Sequence, residues 1–470
     1  YSIVSNPTNG TVSLSGDIVT YTPTTDYTGT DTFTFKANDG ALDSATKTVT
    51  VKVISGYKTT QTQIGSDLNG EDLDDYFGDS ISLSSDGSTL AVGATQNDGN
   101  GSNSGHVRVF QNNSGTWSQL GSDIDGESAN EYSGYSVSLS SDGLTLAISA
   151  IMNNGNGTQS GHVRVYKYNG SSWSQLGSDI DGENENDYSG WSISLSSDGS
   201  TLAIGSSYND GNGTQSGHVR AYKYNGSSWT QFGSDIDGEA SGDFSGTAIS
   251  LSSDGLTLAV GAPNNGGNGS NSGHVRVFRF SSGSWLQIGA DIDGETQNDY
   301  LGYSVSLSSD GKVLATGAPW NDDNGDNSGH VRVYKYNESS WLQLGSDIDG
   351  EAAQDYSGVS VSLSSDGTIL AVGAQTNDDN GDNSGHVRVY EYTNESWSQI
   401  EADIDGESEG DNSGHAIKLS SDGSILAIGA PYNDQNGDNS GHVRVYDLIQ
   451  KNVTLSSSAT SISEPTNSST

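Results

Sequence analysis

Residues 135–149 read YSVSLSSDGLTLAIS, two runs of alternating polar and apolar residues joined by the turn sequence Ser-Asp-Gly. Alternation with a period of two is typical of a half-buried β-strand, and Asp-Gly is typical of a tight turn. A third alternating run, HVRVYKY (162–168), follows a loop rich in Gly and Asn. Asn169-Gly170 then turns the chain into a fourth run, WSQL (173–176). The segment therefore predicts four consecutive antiparallel strands.

This segment recurs in seven copies at a fixed spacing of 56 residues, as from His106 to His162, with no insertion or deletion. The third run of each copy begins with the same histidine, at His106, His162, His218, His274, His330, His386 and His442. No stretch has helical periodicity. Seven copies of four strands predict an all-β fold, a seven-bladed β-propeller of four-stranded blades. The alternative is an open solenoid.

The phase of the repeat predicts how the ring closes. The segment 61–64 has the position of a fourth strand but precedes the first complete copy, whereas the last copy ends after its third strand, at residues 442–446. A fourth strand donated from 61–64 to the last blade would complete seven sheets and cover the exposed strand edges. We therefore place the propeller at residues 56–448.

The chain is strongly acidic, with 60 Asp and Glu against 18 Lys and Arg and a net charge of −42. Nucleic acid and anionic membrane surfaces attract basic proteins, so neither is an expected partner. There is no cysteine and hence no disulfide. No apolar run is long enough for membrane insertion.

The first copy, DYFGDSISLSSDGSTLAVGA (75–94), resembles the FG-GAP repeats of integrin α-subunits and of many bacterial surface proteins. Phe77-Gly78 matches the FG element. The GAP element is matched in three copies, at 261–263, 317–319 and 429–431. The resemblance implies a propeller at the cell surface or outside the cell. The family's calcium loop between the first two strands is reduced here to Ser-Ser-Asp-Gly, too short to wrap an ion, so that site is not transferred.

The ends of the chain differ from the repeat. Residues 6–40 resemble the cadherin-like, VCBS-type Ig repeats of bacterial adhesins, and their Gly-bounded alternating runs predict a partial Ig-like β-sandwich over residues 1–55. Residues 449–470 are predicted to be a linker or the start of a further β-sandwich, because 453–464 resemble a Calx-β repeat. The neighbouring domains of a longer chain are therefore expected partners.

The loops between strands two and three and those between blades carry most of the acidic residues, and both sets should emerge on one face. Clustered carboxylates on Gly-bent loops are oxygen ligands that suit calcium, the one cofactor we expect. The alternative is structural, with Asx turns and a solvated charged surface. The calcium candidates are Asp322, Asp323, Asp326, Asp378, Asp379, Asp382, Asp434 and Asp438 in the first set, and Asp123, Asp125 and Glu127 in the second.

Residues that are the same in every copy are predicted to serve the scaffold, so positions that differ between copies are the candidates for ligand contact. Two such positions carry several aromatic residues, which suit a glycan or a protein ligand. The alternative is unconstrained variation at exposed sites. The candidates are Tyr135, Trp191, Tyr303 and His415 at the start of the innermost strand, and Tyr208, Trp320 and Tyr432 early in the loop between strands two and three.

The sequence thus predicts an extracellular or cell-surface adhesion module of a large multidomain protein. Its acidic propeller face would bind a glycan or protein with the help of calcium. The alternative is a structural spacer or filament component without a specific ligand. No Ser/His/Asp set, histidine cluster or phosphate loop breaks the symmetry of the repeat, so the chain is not expected to be an enzyme.

Overall fold

The computed structural model describes residues 1–15, 18–24, 27, 29–38, 42–53, 56–450 and 453–454. The chain forms two compact units, one of residues 1–59 with 448–470 and one of residues 60–447. The predicted module over 449–470 lies almost entirely outside the described residues.

The first unit contains two antiparallel sheets. One has four strands in the order Ser2–Ser5, Gly29–Lys36, Lys47–Val53, Val453–Thr454, and the other pairs Gly10–Ser15 with Ile18–Pro23. Tyr21, Phe33 and Val51 form a small core. The buried Asp31 carboxylate accepts hydrogen bonds from the backbone N–H groups of Thr8 and Asn9 and from the Tyr21 hydroxyl.

The described residues 56–450, which include the whole second unit, form seven antiparallel sheets of one design, which we number 1 to 7 in chain order of their innermost strands. The innermost strands are Phe77–Leu83, Ser133–Leu139, Ser192–Leu195, Ala248–Leu251, Ser304–Leu307, Ser360–Leu363 and Ala416–Leu419. The second strands are Thr89–Ala94, Thr145–Ala150, Thr201–Ser206, Thr257–Ala262, Val313–Ala318, Ile369–Ala374 and Ile425–Ala430. The third strands are His106–Asn113, His162–Tyr168, His218–Tyr224, His274–Ser281, His330–Tyr336, His386–Thr393 and His442–Gln450.

The fourth, outermost strands are Thr116–Gln119, Trp173–Gln175, Trp229–Gln231, Ser284–Gln287, Trp341–Gln343, Ser396–Gln399 and, in sheet 7, Gly56–Gln63. There is no helix in the described part of the chain. The prediction of an all-β chain built from repeated four-stranded sheets, the building unit of a propeller, is confirmed.

Each sheet also has a fifth strand that the sequence did not predict. It is two residues long, pairs with the start of the third strand, and comes from the acidic connection to the next sheet, as where Ile124 pairs with Val107. Ile124 is buried, so the connection is anchored by its one apolar residue. These strands are Ile124–Asp125, Ile180–Asp181, Ile236–Asp237, Ile292–Asp293, Ile348–Asp349, Ile404–Asp405 and, in sheet 7, Leu68–Asn69.

The end of the unit pairs with its beginning, as the phase of the repeat predicts. The strand Gly56–Gln63 lies beside the third strand of sheet 7, and the Ile64 N–H donates to the Val445 carbonyl at 2.7 Å. At the axis, one turn serine of each sheet donates its N–H to the carbonyl of its counterpart in the next sheet. The cycle closes from Ser421 to Ser85 at 2.9 Å and runs through Ser85, Ser141, Ser197, Ser253, Ser309, Ser365 and Ser421.

Repeated side chains join neighbouring sheets. Apolar residues of sheet 1, such as Val107 and Val109, pack against Leu146 and Ile148 of sheet 2, and the other interfaces repeat this pattern. The repeated tryptophans donate their indole N–H to a carbonyl of the preceding sheet at 2.7–2.9 Å, in Trp117, Trp173, Trp229, Trp285, Trp341 and Trp397. In sheet 7, Gln61 takes this position and donates to the Ala402 carbonyl at 2.7 Å.

The innermost strands line a central cavity of 130 Å³. Serine hydroxyls on six of these strands accept an N–H from a leucine of the next sheet, as Ser362 does from Leu419 at 3.0 Å. Sheet 7 has Lys418 at this position. Its side chain opens onto the cavity and is exposed there, and the protein around the cavity partly desolvates the Lys418 amine and lowers its pKa.

Candidate functional site

The acidic connections and the loops between strands two and three pack together on one face of the second unit, which we call the acidic face. In sheet 1 the Asn100 side chain donates to the Gly126 carbonyl at 2.7 Å, and the Tyr132 N–H donates to the Asn103 carbonyl at 3.2 Å. The other sheets repeat the first of these contacts. The predicted gathering of these loops is therefore present.

Four of the seven predicted ligand contacts line one cleft on the acidic face, which we call the aromatic cleft. Its volume is 290 Å³, and it spans sheets 3, 4 and 5. Sheets 3 and 5 supply large rings, whereas sheet 4 supplies small residues at the same two positions, which leaves a gap between the rings. The lining residues are Trp191, Ser207, Tyr208, Phe244, Thr247, Pro263, Asn264, Tyr300, Tyr303 and Trp320.

The rings of the aromatic cleft are held by one another. Trp191 and Tyr208 lie 5.2 Å apart between ring centroids with their planes tilted by 53°. On the opposite wall, Trp320 contacts Tyr303 at 5.0 Å and Tyr300 at 4.9 Å. Tilted and edge-on contacts at these separations are favourable for aromatic pairs, so the walls are preorganised.

Phe244 and Tyr300 also line the cleft but were not among the predicted ligand contacts. Their position carries an aromatic residue in six of the seven copies. Both residues have positive φ, 54° and 56°. A bulky residue rarely adopts this left-handed conformation, and such strain is concentrated at functional sites. The equivalent residues, also with positive φ, are Tyr76, Tyr132, Tyr188, Tyr356 and, in the last copy, Asn412. An aromatic residue repeated close to the variable positions could therefore have predicted these two cleft residues.

A polar groove adjoins the aromatic cleft and shares Tyr208 with it. The groove has a volume of 760 Å³ and is lined by carboxylates, amides and hydroxyls, including Glu185, Asp210 and Thr214. The Tyr188 hydroxyl, also in the groove, donates to Gln159 Oε1 at 2.7 Å. Cleft and groove together offer flat rings beside hydrogen-bonding groups and negative charge.

The three other predicted ligand contacts lie outside the cleft. Tyr135 borders it, with its ring centroid 5.2 Å from that of Trp191. Burial and then the nearby Asp79 carboxylate raise the pKa of the Tyr135 hydroxyl far above its usual range, so it remains protonated. Tyr432 packs edge-on against Tyr76 at 5.2 Å.

His415 joins the last sheets to the first one. Its Nε2 lies 3.2 Å from Asp79 Oδ1, and its Nδ1 lies 2.7 Å from Gln375 Oε1. Asp79 also accepts a hydrogen bond from the Thr95 hydroxyl at 2.9 Å. His415 and Asp79 both depart from the repeat, and each occupies the same position in its own copy. They form a polar contact between sheets 7 and 1 and do not line the aromatic cleft.

The predicted calcium ligands have mixed surroundings. The carboxylates of Asp322, Asp378 and Asp434 each accept a hydrogen bond at 2.8 Å from the backbone N–H of the residue five positions later in the chain. This contact agrees with the alternative in which these residues stabilise the loop backbone. Asp326 accepts from the Gln354 amide, and Asp382 accepts from the Asn383 amide. Asp438 accepts the N–H of Asp74 through its backbone carbonyl.

The remaining candidates surround the repeated histidines and arginines. Asp123 groups with Glu71 and His106, and Glu127 groups with His162 and Asp179. Asp323 and Asp379 belong to two larger groups of one histidine and three carboxylates. Asp125 acts through its backbone carbonyl, which accepts the Arg164 guanidinium at 2.9 Å. The structure therefore brings acidic loop residues together with histidines that the sequence argument had assigned to the scaffold.

Two family models match the chain. The bacterial Ig domain matches residues 1–52, and the FG-GAP repeat matches residues 69–110, 180–222, 291–334 and 348–390. The predicted resemblance is therefore confirmed. Bacterial Ig and FG-GAP domains are typical of extracellular, adhesion-type proteins. No curated protein matches the chain significantly. In the described residues, no helix has the length and apolarity needed to cross a membrane.

Solved structures with a similar fold include Kuenenia stuttgartiensis hydrazine synthase, at 15% identity and a TM-score of 0.50, covering 86% of this chain and 100% of that one. A putative 6-phosphogluconolactonase from Bacteroides uniformis has 11% identity and a TM-score of 0.49. The periplasmic gluconolactonase of Pseudomonas aeruginosa has 16% identity and a TM-score of 0.48. Each of these two comparisons covers 70% of this chain and 85% of the other.

The first of these comparisons contradicts the prediction that the chain is not an enzyme, because the structure with a similar fold bears the name of an enzyme, a hydrazine synthase. The prediction was wrong in its reasoning. It treated the absence of a recognisable catalytic set as decisive, whereas a fold of this kind accommodates unrelated functions. At these identities the likeness shows the fold alone and assigns no reaction to this chain.

Proposed function

We propose that this chain, with FG-GAP repeats behind a bacterial Ig domain, is an extracellular adhesion module whose seven sheets form one seven-bladed propeller that binds a glycan in the aromatic cleft. The observation that carries the proposal is the convergence of Trp191, Tyr208, Tyr303 and Trp320 on one cleft. These residues differ between copies, so this cleft exists once in the described part of the ring.

The chemistry of the cleft favours a glycan over a protein ligand. The C–H faces of a sugar ring pack on tilted aromatic rings, and its hydroxyls need nearby polar partners. The adjoining groove supplies such partners in Glu185, Asp210 and Thr214. Because the groove is lined by carboxylates and the chain has a net charge of −42, a neutral or cationic glycan fits better than an anionic one.

Calcium is the second part of the proposal. The loop carboxylates of sheets 5 to 7, such as Asp326 and Asp382, would coordinate Ca²⁺ through their oxygen atoms. The bound Ca²⁺ would reduce charge repulsion on the acidic face and make the loops more rigid. Adding Ca²⁺ to metal-free protein is expected to raise the melting temperature and the glycan affinity. Unchanged values, with Mg²⁺ as the ionic-strength control, would refute this part and leave the glycan proposal standing.

The first unit supports the architecture of a stalk. Its two sheets and their small core are consistent with a partial Ig-like sandwich, a module that occurs in tandem in long surface proteins. Neighbouring domains of the same chain would then hold the propeller away from the cell. The alternative function, a spacer or filament component, needs the same scaffold but no cleft.

A glycan array with the isolated propeller, residues 56–450, tests the proposal. Trp320→Ala is expected to weaken binding roughly tenfold or more, because truncating a central aromatic contact costs about 2 kcal/mol. The matched control is Tyr432→Ala, which removes another aromatic of the acidic face that lies outside the cleft. Melting curves of both variants verify folding. Absence of any glycan binding would favour the spacer, and equal losses in both variants would refute the assignment to the cleft.

A further inference from the structure

One loop position sets sheets 5 and 6 apart from the other sheets. Seven residues before the repeated histidine, sheets 5 and 6 carry Asp323 and Asp379. Sheet 7 has Gln435, whose amide donates to Glu407 Oε2 at 3.0 Å. The first four sheets have glycine at this position, in Gly99, Gly155, Gly211 and Gly267. In sheets 5 and 6 a third carboxylate therefore joins the group around the histidine.

In sheet 6 these groups converge closely. One ligand atom from each of Glu351, Asp379, His386 and Asp403 lies within 4.8 Å of every other. The His386 side chain is fully buried, with 0% exposure, and its Nδ1 lies 3.9 Å from both Glu351 Oε2 and Asp403 Oδ2. Glu351 and Asp403 remain 42% and 24% exposed, so an ion can reach the group from solvent.

Both ring nitrogens of His386, Nδ1 and Nε2, are buried without a hydrogen-bond partner among the described residues. A neutral imidazole has one N–H and one lone pair, and leaving either buried without a partner is unfavourable. If Nδ1 carries the lone pair, that lone pair faces carboxylate oxygens. A cation among these atoms would accept the lone pair and neutralise the anions together.

The corresponding group in sheet 5 already contains a cation. Arg332 donates to both oxygens of Asp347, at 3.1 and 3.0 Å, and also pairs with Glu295. In sheet 6 the equivalent Arg388 turns to the Asp349 carbonyl at 2.7 Å and approaches only one carboxylate oxygen of the group, that of Glu351, at 3.6 Å. The guanidinium thus occupies the group in sheet 5 and leaves most of it open in sheet 6.

We propose that Glu351, Asp379, His386 and Asp403 bind one divalent ion of the first-row transition series, of the Zn²⁺ class. One imidazole with three carboxylates is a donor set for such ions, whereas calcium takes oxygen ligands alone. Ligand atoms of a tetrahedral zinc lie roughly 3.4 Å apart. The Glu351 and Asp403 oxygens, now 3.9 Å from His386 Nδ1, therefore need to approach that nitrogen by about half an ångström. The site is independent of the proposed glycan cleft, which lies in sheets 3 to 5.

Asp379→Gly tests the proposal without threatening the fold, because glycine is the natural residue at this position in four sheets. Metal-free wild-type protein is titrated with Co²⁺, whose visible absorption reports imidazole and carboxylate coordination, and with Zn²⁺ in competition. We expect one ion per chain and an affinity at least roughly tenfold lower in Asp379→Gly. The control is Asp323→Gly in sheet 5, which is expected to leave the affinity unchanged.

Two results would overturn the proposal. One is wild-type protein that takes up no Co²⁺ or Zn²⁺, or holds them no better than Ca²⁺. The other is a loss of binding in Asp323→Gly with none in Asp379→Gly, which would place the ion in sheet 5. Retention of the Co²⁺ spectrum by Asp323→Gly together with its loss in Asp379→Gly supports the assignment to sheet 6.

Discussion

The buried histidines make the stability of this protein depend on pH in a way that can be calculated. His218 and His274 begin the third strands of their sheets and are each 1% exposed. Burial, and then the adjacent Arg220 or Arg276 guanidinium, lowers the pKa of each imidazole from 6.5 to about 4. The folded protein therefore keeps these side chains neutral where the unfolded chain protonates them.

The sign follows from linkage. A histidine pKa lowered in the folded state leaves the stability intact above pH 6.5, and stability is lost progressively as the pH falls from 6.5 to 4 and then levels off. For each of His218 and His274 the lost free energy of unfolding is about 2 kcal/mol at pH 5 and about 3 kcal/mol once the pH is below 4. Carboxylates whose pKa burial raises, such as Asp237 and Asp293, act in the opposite direction, so the contribution of one histidine must be isolated.

The measurement is urea unfolding of wild-type protein and His218→Gln at pH 8 and pH 5, both in chelator to exclude metal. The difference in free energy between the two pH values should be about 2 kcal/mol smaller in the variant, because one titrating group has been removed. His274→Gln serves as an independent copy of the experiment in another sheet. The reasoning is refuted if both variants keep the full pH dependence of the wild type.

Two further substitutions test the scaffold. Gly350→Ala should destabilise the protein by about 3 kcal/mol or more in urea unfolding, because the added methyl would overlap the Ser328 carbonyl, whereas Gly266→Ala meets nothing closer than 3.7 Å and should be neutral or slightly stabilising. Lys418→Ser should raise the unfolding free energy by about 1 kcal/mol, because it supplies a hydroxyl that can accept the Leu83 N–H, as the equivalent serines do in the other six sheets. Equal stability of the two glycine variants, or a less stable Lys418→Ser, would contradict these expectations.

The repeat made the strands predictable because each one is local. Alternation and turn residues within one copy determine four strands, and the phase of the copies determines that the segment beginning at Gln61 completes sheet 7. The fifth strand was not predictable in this way. Ile124 is a single apolar residue between Asp123 and Asp125, which is too short a pattern to predict a strand. It becomes buried and paired only because the third strand lies beside it.

The candidate sites depend on contacts between copies, which no pattern within a copy reports. The aromatic cleft arises because Thr247 and Asn264 are small where the neighbouring sheets carry large rings. Its walls also use Phe244 and Tyr300, which belong to the repeat. The rule that repeated residues serve only the scaffold was therefore too strict. A repeated side chain contributes to a specific site once its neighbours vary.

A repeated residue can thus belong to a specific site when its neighbours differ between copies. This weakness affected the argument against catalysis, and the same point supports the metal proposal. Residues repeated in every copy were expected to have only a structural role, yet His386 is such a residue. A single loop difference, Asp379 in place of glycine, changes the groups that surround it. The neighbouring sheet has the same substitution but a different guanidinium position, with Arg332 on the carboxylates and Arg388 turned away. Two nearly identical copies therefore differ in whether a cation of the protein already fills the group. Sevenfold repetition supplies the histidine in every sheet, and the variable residues decide where it can bind an ion.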